Sequence, residues 1–179
     1  MEATDILRFW FGELSTKQHF TKDAKLDALI HMRFAETHRA ASRGELYEWR
    51  ATPEGRLAEI IVLDQFSRNL FRDDAHAFAF DGMAMVLAQE AVRIGADQKL
   101  EPYRRIFLYM PYMHSESRAI HVVAERLFRQ SGVDANLKYE LKHKAIIDRF
   151  GRFPHRNAVL GRESTPEELA FLSQPGSSF

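Results

Sequence analysis

Apolar side chains recur every three to four residues along most of this chain, the spacing of a helix with one buried face. Ile6, Leu7, Trp10 and Phe11 form the first stripe, and Thr4 ahead of them predicts a capped helix over residues 5–11. Leu26, Leu29, Ile30, Phe34 and Ala41 predict a second over 23–42, with Gly44 as its stop. Thr52-Pro53 is a cap followed by a first-turn proline and opens a third, reaching about residue 70. A fourth runs from Ala75 to Gly95, and Pro102 opens a fifth near Tyr103. His114-Ser115-Glu116 marks the break before a sixth, which stops at Ser131-Gly132. In this reading Ser115 is its cap and Glu116 sits in its first turn. A seventh covers about 135–150 and ends at Gly151. Thr165-Pro166-Glu167-Glu168 is a capping box for a short final helix.

No stretch alternates apolar and polar residues between hairpin turns. The pattern therefore predicts an all-α fold of about eight helices joined by short loops. They pair as stacked helical hairpins of roughly tetratricopeptide size, without a clean repeated signature. Pro, Gly and Ser collect only in the tail, 173–179, so residues 1–179 read as a single domain ending in that tail.

The totals narrow the function. There are 25 Lys and Arg against 25 Asp and Glu, a formal net charge of zero. A general nucleic-acid or membrane-surface binder needs a broad positive field, which this balance does not supply. The absence of cysteine excludes disulfides, zinc ribbons and thiol nucleophiles. The N-terminus lacks a basic segment ahead of an apolar core, and the longest apolar run, 106–113, contains Pro111. It is too short to span a bilayer. A cytoplasmic protein is expected.

Charge is nonetheless concentrated locally. Lys142, Lys144, Arg149, Arg152, Arg156 and Arg162, with His143 and His155, face one acid, Asp148, within a single stretch. Phe150, Phe153, Val159 and Leu160 are interleaved with them. Arginines held among buried aromatics either pair with carboxylates or grip an anionic ligand. The turn after Gly151, stiffened by Pro154, can present Arg149, Arg152, His155, Arg156, Asn157 and Arg162 inward. Their alternative partners are helix C-termini or the acids Asp64, Asp81 and Glu116. Upstream, Asp64 and Arg68 are four apart and share a helix face, which Asn69 and Arg72 extend.

Other chemistries find little support. His114 and His121 are seven apart, but no H-E-x-x-H pattern accompanies them, so no metal is expected. No G-x-S-x-G elbow, phosphate loop or dinucleotide glycine pattern occurs, and no cofactor is expected.

Three blocks give the chain a resemblance to the bacterial DUF924 family. The first is Leu63-Asp64-Gln65-Phe66-Ser67-Arg68-Asn69-Leu70-Phe71-Arg72, with Ala77-Phe78-Ala79 and Asp81. The second is Phe107-Leu108-Tyr109-Met110-Pro111 with His114-Ser115-Glu116. The third is RFGRFPHRNAVLGR, from Arg149 to Arg162, followed by Ser164-Thr165-Pro166-Glu167-Glu168. Phe9-Trp10-Phe11-Gly12 is similar to the family's opening. The resemblance implies a tetratricopeptide-like all-α fold and no established activity. Two positions depart from it: Ser67 stands where the family usually has proline, and His121 where glutamine is expected.

Three functions remain open. The leading expectation is a module that binds a small anion or an acidic peptide in a pocket built from the three blocks. Asp64, Arg68, Asn69, Arg72, Asp81, Arg149, Arg152, Arg156, Asn157 and Arg162 would line it. The second is a hydrolase-like enzyme, with His114 or His155 as general base, Glu116 as a further catalytic candidate and the arginines stabilising developing negative charge. The third is a structural protein that self-associates, a homo-oligomer, through exposed Phe or Tyr. A His within hydrogen-bond reach of a carboxylate in a pocket separates the enzyme from the others.

Overall fold

The structure, a computed structural model, describes residues 1–130 and 132–178. Among them every regular element is helical, and no strand occurs. Helix α1, Ala3–Arg8, starts two residues before the expected point. Glu2 and Asp5 form a reciprocal capping box there, so Thr4 falls inside the helix instead of capping it. The helix runs on as a π-helical stretch, Phe9–Glu13. A short α2, Thr16–His19, has no apolar stripe to betray it and is set by a Ser15–Gln18 capping box.

Helix α3 spans Ala24–Ser42, and the Asp23 carboxylate accepts from the Lys25 and Leu26 amides at its start. The next rod is continuous over three segments. These are α4, Pro53–Ile61, a π-helical stretch, Val62–Phe66, and α5, Ser67–Leu70. Thr52 caps it through its side chain, as its sequence predicts. The expected fourth helix is split. Ala75–Phe78 forms a 3-10 turn, and α6 begins only at Asp81 and ends at Arg93. Helix α7, Pro102–Met113, carries Pro111 in its last turn. Helix α8, Arg118–Phe128, has Ser117 at its N-cap, so Ser115 does not cap it. Helix α9 is Leu137–Phe150, and Gly151 ends it with φ of 73°, the left-handed conformation that glycine adopts without strain. Helix α10 is Pro166–Leu172, with the Thr165–Glu168 capping box in place.

The core is built around the α4 rod, which packs on α1, α6 and α7. From Leu57 to Ser67 every residue is buried, so this rod is covered on all sides. Phe9, Phe34 and Phe66 meet with ring centroids 4.8 to 6.1 Å apart, and Trp10 closes on Phe66 and Phe107 at 5.6 and 5.7 Å. Burying one such ring contributes about 1.5–3 kcal/mol. Successive helices α6–α7, α7–α8 and α8–α9 pack pairwise, the stacked-hairpin arrangement that the sequence pattern implies. A smaller cluster of Ile146, Ile147 and Phe153, with Phe150 and Phe171 against it, joins α9, the turn after Gly151 and α10.

Two glycines test the packing. A Cβ on Gly55 would lie 1.9 Å from the Trp49 carbonyl oxygen, a backbone atom that cannot yield. One on Gly82, in the first turn of α6, meets nothing within 4 Å. Gly55→Ala is expected to cost at least about 2 kcal/mol and Gly82→Ala to gain about 0.5–1 kcal/mol, read from thermal or urea unfolding.

Candidate functional site

The site begins with a buried carboxylate. Asp64 sits in the π-helical stretch of the α4 rod, with its side chain 1% exposed. A buried charge persists only with partners. His114 Nδ1 lies 2.8 Å from Oδ1, Arg68 Nη1 approaches the same oxygen to 3.2 Å, and Gln65 Nε2 donates to Oδ2 at 2.5 Å. Burial alone would raise its pKa. Arg68 and His114, with the Gln65 hydrogen bond, hold it well below the usual carboxylate range.

Arg68 carries the network outward. It donates to the Asp64 carbonyl at 2.7 Å and forks onto both oxygens of Asp81 at 2.9 and 3.1 Å. Asp81 also receives Arg156 Nη1, at 3.3 Å. Arg156 Nη2 donates to the His114 carbonyl at 3.1 Å. Its guanidinium lies between two rings, 4.4 Å from the Phe78 centroid and 4.6 Å from that of Phe153. The Arg156 side chain is 8% exposed, and its Nε is buried without a hydrogen-bond partner. Of five N–H donors, two are used among the described residues. Burial first, and the neighbouring Arg68 charge second, pull its pKa down to about 10.

A cavity of about 380 Å³ opens against this network. Asp81, His114, Ser115, Glu116 and Arg156 supply its polar wall, and Phe78, Met85, Pro111 and Leu160 its apolar wall. The three sequence blocks thus meet in one place. The sequence reading has Phe78 and Pro111 in the resemblance blocks and Leu160 among the arginines without naming them as site residues, and Met85, between Ala84 and Val86, carries no signal.

The remaining arginines go elsewhere. Arg72 and Asn69 both reach Asp27 on α3, Arg72 through Nη2 at 2.7 Å and Asn69 at 2.8 Å. Arg149 pairs with Glu167 at 2.8 Å on the exposed side of α10. Arg152 forks onto Glu168 at 2.7 and 2.8 Å. Asn157 bonds Ser164 and Glu168. Arg162 forks onto Glu116 at 2.6 and 2.9 Å, and Glu116 also accepts from the Phe153 amide at 2.7 Å. Of this group only Glu116 lines the cavity; Arg72 and Asn69 tie the end of the α4 rod to α3, Arg149 ties α9 to α10, Arg152 and Asn157 tie the turn after Gly151 to α10 and the segment before it, and Arg162 ties that turn to the loop between α7 and α8.

His114 is positioned as an acceptor. Its Nδ1 faces the ionised Asp64, which can only accept, so Nδ1 bears the proton. Nε2 then carries the lone pair. It bonds no described residue; the His114 side chain is 17% exposed, and the residue lines the cavity. Burial outweighs the Asp64 charge and lowers the ring's pKa, keeping it neutral near pH 7. His155 is not part of the cavity wall; burial pulls it down to about 4, with Arg156 adding to the shift.

The loop that carries His114 is fixed from behind. His121 on α8, fully buried, reaches the Ser115 carbonyl through Nε2 at 2.8 Å and Glu140 of α9 through Nδ1 at 2.7 Å. His114 and His121 therefore belong to different elements and do not share a helix face. Ser67, the other departure, is also buried: its hydroxyl donates to the Leu63 carbonyl at 2.5 Å and receives His38 Nε2–H at 2.8 Å. Among the described residues no three His, Cys, Asp or Glu side chains gather as metal ligands, and no helix is long and apolar enough to cross a membrane.

The model of the family described as "Bacterial protein of unknown function (DUF924)" matches residues 6–176. The chain belongs to the DUF924 family. A solved structure of a protein of unknown function from Agrobacterium tumefaciens is 41% identical, with a TM-score of 0.87 and 96% of each chain covered. No curated protein matches the chain.

Two outcomes separate the parts of this DUF924 protein. Arg152→Met removes both bonds to a Glu168 carboxylate that is 3% exposed. It should lower stability, whereas Arg156→Met, which leaves Asp81 with Arg68, should change it by less than about 1 kcal/mol in urea unfolding.

Acid sensitivity follows from buried neutral imidazoles. Burial pulls His38 down to about 4 and His143 to about 3. Below the free value of about 6.5 the unfolded chain binds protons that these rings refuse, so stability falls as pH drops from there toward about 4. His38→Gln should flatten that slope by about 1 kcal/mol per pH unit, measured as unfolding free energy across the window.

Proposed function

We propose that this DUF924 chain binds a small anion, a carboxylate above all, at Arg156 in the cavity between the three blocks. The observation that carries it is the state of that one side chain. Arg156 is buried between Phe78 and Phe153 with most of its N–H donors unused and its pKa lowered. An anion beside it supplies the missing acceptors and offsets the burial and the Arg68 charge that lower its pKa. The planar guanidinium suits a carboxylate presented edge-on.

The surroundings favour a single charge over two. Asp64, Asp81 and Glu116 already balance Arg68, Arg156 and Arg162 within the network. A monoanion meets a nearly neutral wall with one unsatisfied cation, while a dianionic phosphate is repelled by Asp81 and Glu116 at close range. The cavity volume, about 380 Å³, suits a small molecule or one acidic side chain of a peptide.

Melting temperature in rising concentrations of acetate, benzoate and phosphate tests the reading. The carboxylates are expected to stabilise the wild type, by about 2.7 kcal/mol at a hundredfold excess over Kd, and phosphate less. Arg156→Met should lose the effect and Arg152→Met should keep it. An absent carboxylate shift, or one unchanged in Arg156→Met, overturns the assignment.

A further inference from the structure

We propose that the same cavity is a hydrolytic active site for small uncharged carboxylic esters, with His114 as general base, Asp64 as its orienting partner and Arg156 as the stabiliser of the oxyanion. This rests on the reading that Arg156 accepts an anion, and it explains why such a site would otherwise be neutral.

The geometry carries it in three steps. First, Asp64 is buried and holds Nδ1–H of His114 at 2.8 Å, which fixes the tautomer and the ring plane. A base oriented by a buried carboxylate and open at its other nitrogen is what proton abstraction requires. Second, the Asp64 charge is itself locked by Arg68 and Gln65, so it stabilises the imidazolium without taking the proton. Third, Arg156 Nη2 donates to the His114 carbonyl at 3.1 Å, so the guanidinium touches the backbone of the residue that carries the base, and both residues line one cavity.

The reaction balances with water as the only co-reactant. His114 Nε2 takes a proton from water as the water oxygen bonds to the ester carbonyl carbon. The carbonyl π electrons move onto oxygen, and that oxyanion faces the unused N–H donors of Arg156. When the oxyanion collapses, the C–O bond to the alcohol breaks, and the departing alkoxide takes the proton from Nε2. The carboxylic acid then ionises, and its carboxylate is the anion that Arg156 holds in the binding reading. Because the wall is balanced before reaction, charge that develops during reaction is stabilised more than the substrate is, the condition for catalysis.

The groups that set the pH response of His114 come from every neighbouring element. Asp64 and Arg68 face it from the α4 rod and Asp81 from α6. Its ring lies 6.4 Å from that of His143 on α9, and Glu116, His155 and Arg156 flank it from the two loops. Their sum keeps His114 neutral near pH 7, so the rate should rise through an inflection below the ordinary imidazole value and then stay level.

The experiment uses p-nitrophenyl acetate and p-nitrophenyl butyrate, following p-nitrophenol release, on the full chain. The wild type is expected to hydrolyse at least one of them with saturation. H114N keeps a donor toward Asp64 and should lose about 100-fold or more in kcat/KM. H31N, a change at an exposed histidine, should behave as wild type. Benzoate should still raise the melting temperature of H114N. Wild-type rates no higher than those of H114N on both esters overturn the catalytic proposal. If the benzoate shift persists in that case, the binding reading stands alone; if it is absent as well, both fall. Should H114N fail to fold, the wild-type profile decides: a rate with no inflection below the ordinary imidazole value of about 6.5 also overturns the proposal.

Discussion

Asp64 brings a full negative charge into the densest part of the molecule, in a rod whose residues from Leu57 to Ser67 are all buried. Leaving such a charge unpaired costs several kcal/mol, comparable to the whole stability of an ordinary domain. The surrounding structure is arranged to avoid that cost. Arg68 and Gln65 answer the carboxylate from its own rod, and His114 answers it from the end of α7. Arg68, half-buried, is answered in turn by Asp81, which fixes the start of α6. Asp81 in turn draws in Arg156 from the far side of the chain. One buried charge thus sets the relative placement of the α4 rod, α6, α7 and the turn after Gly151.

The π-helical stretch Val62–Phe66 is part of that arrangement. Single π segments within α-helices are uncommon and frequent at functional sites. Nothing in the apolar spacing announces it, because a π turn changes the backbone register and leaves the composition untouched. The helix boundaries around it were legible, since Thr52-Pro53 and the buried run speak directly to caps and core. The early start of α1, the short α2 and the split at Ala79–Phe80 were not. Each is decided by a local cap or a tertiary contact that competes with the apolar stripe.

The arginine-rich block shows where charge patterns in sequence mislead and where they inform. Six cations against one acid looked like an unbalanced cluster. In space Glu116, Glu167 and Glu168, from outside that stretch, absorb Arg162, Arg149 and Arg152. Sequence proximity measures none of this, since the Arg162–Glu116 pair spans 46 positions. Forked pairs such as Arg152–Glu168 fix orientation as well as charge, and here they staple α10 over Ile147 and Phe153. The block is therefore mostly scaffold. Its meeting with the Asp64–Asp81 block was anticipated; which arginine would be left with unused donors was not, because that depends on Phe78 and Phe153 occupying both faces of Arg156.

What remains after the pairs are assigned is informative about selection of ligands. A protein needing only stability gains little from a guanidinium held between two rings with most of its donors idle, since an apolar side chain of similar size would fill that space at lower cost. The Asp64–His114 contact has the same character. A glutamine or asparagine could satisfy the carboxylate from α7 without bringing a titratable ring to the cavity wall. His121 and Glu140, both fully buried, then spend further polar groups on holding the Ser115 carbonyl, and with it the turn beside His114, in place. Rigid placement of a half-satisfied arginine and an open imidazole nitrogen on one wall is a structural expense that folding alone does not require. It acquires a physical reason when negative charge enters the cavity, either carried by a ligand or formed there.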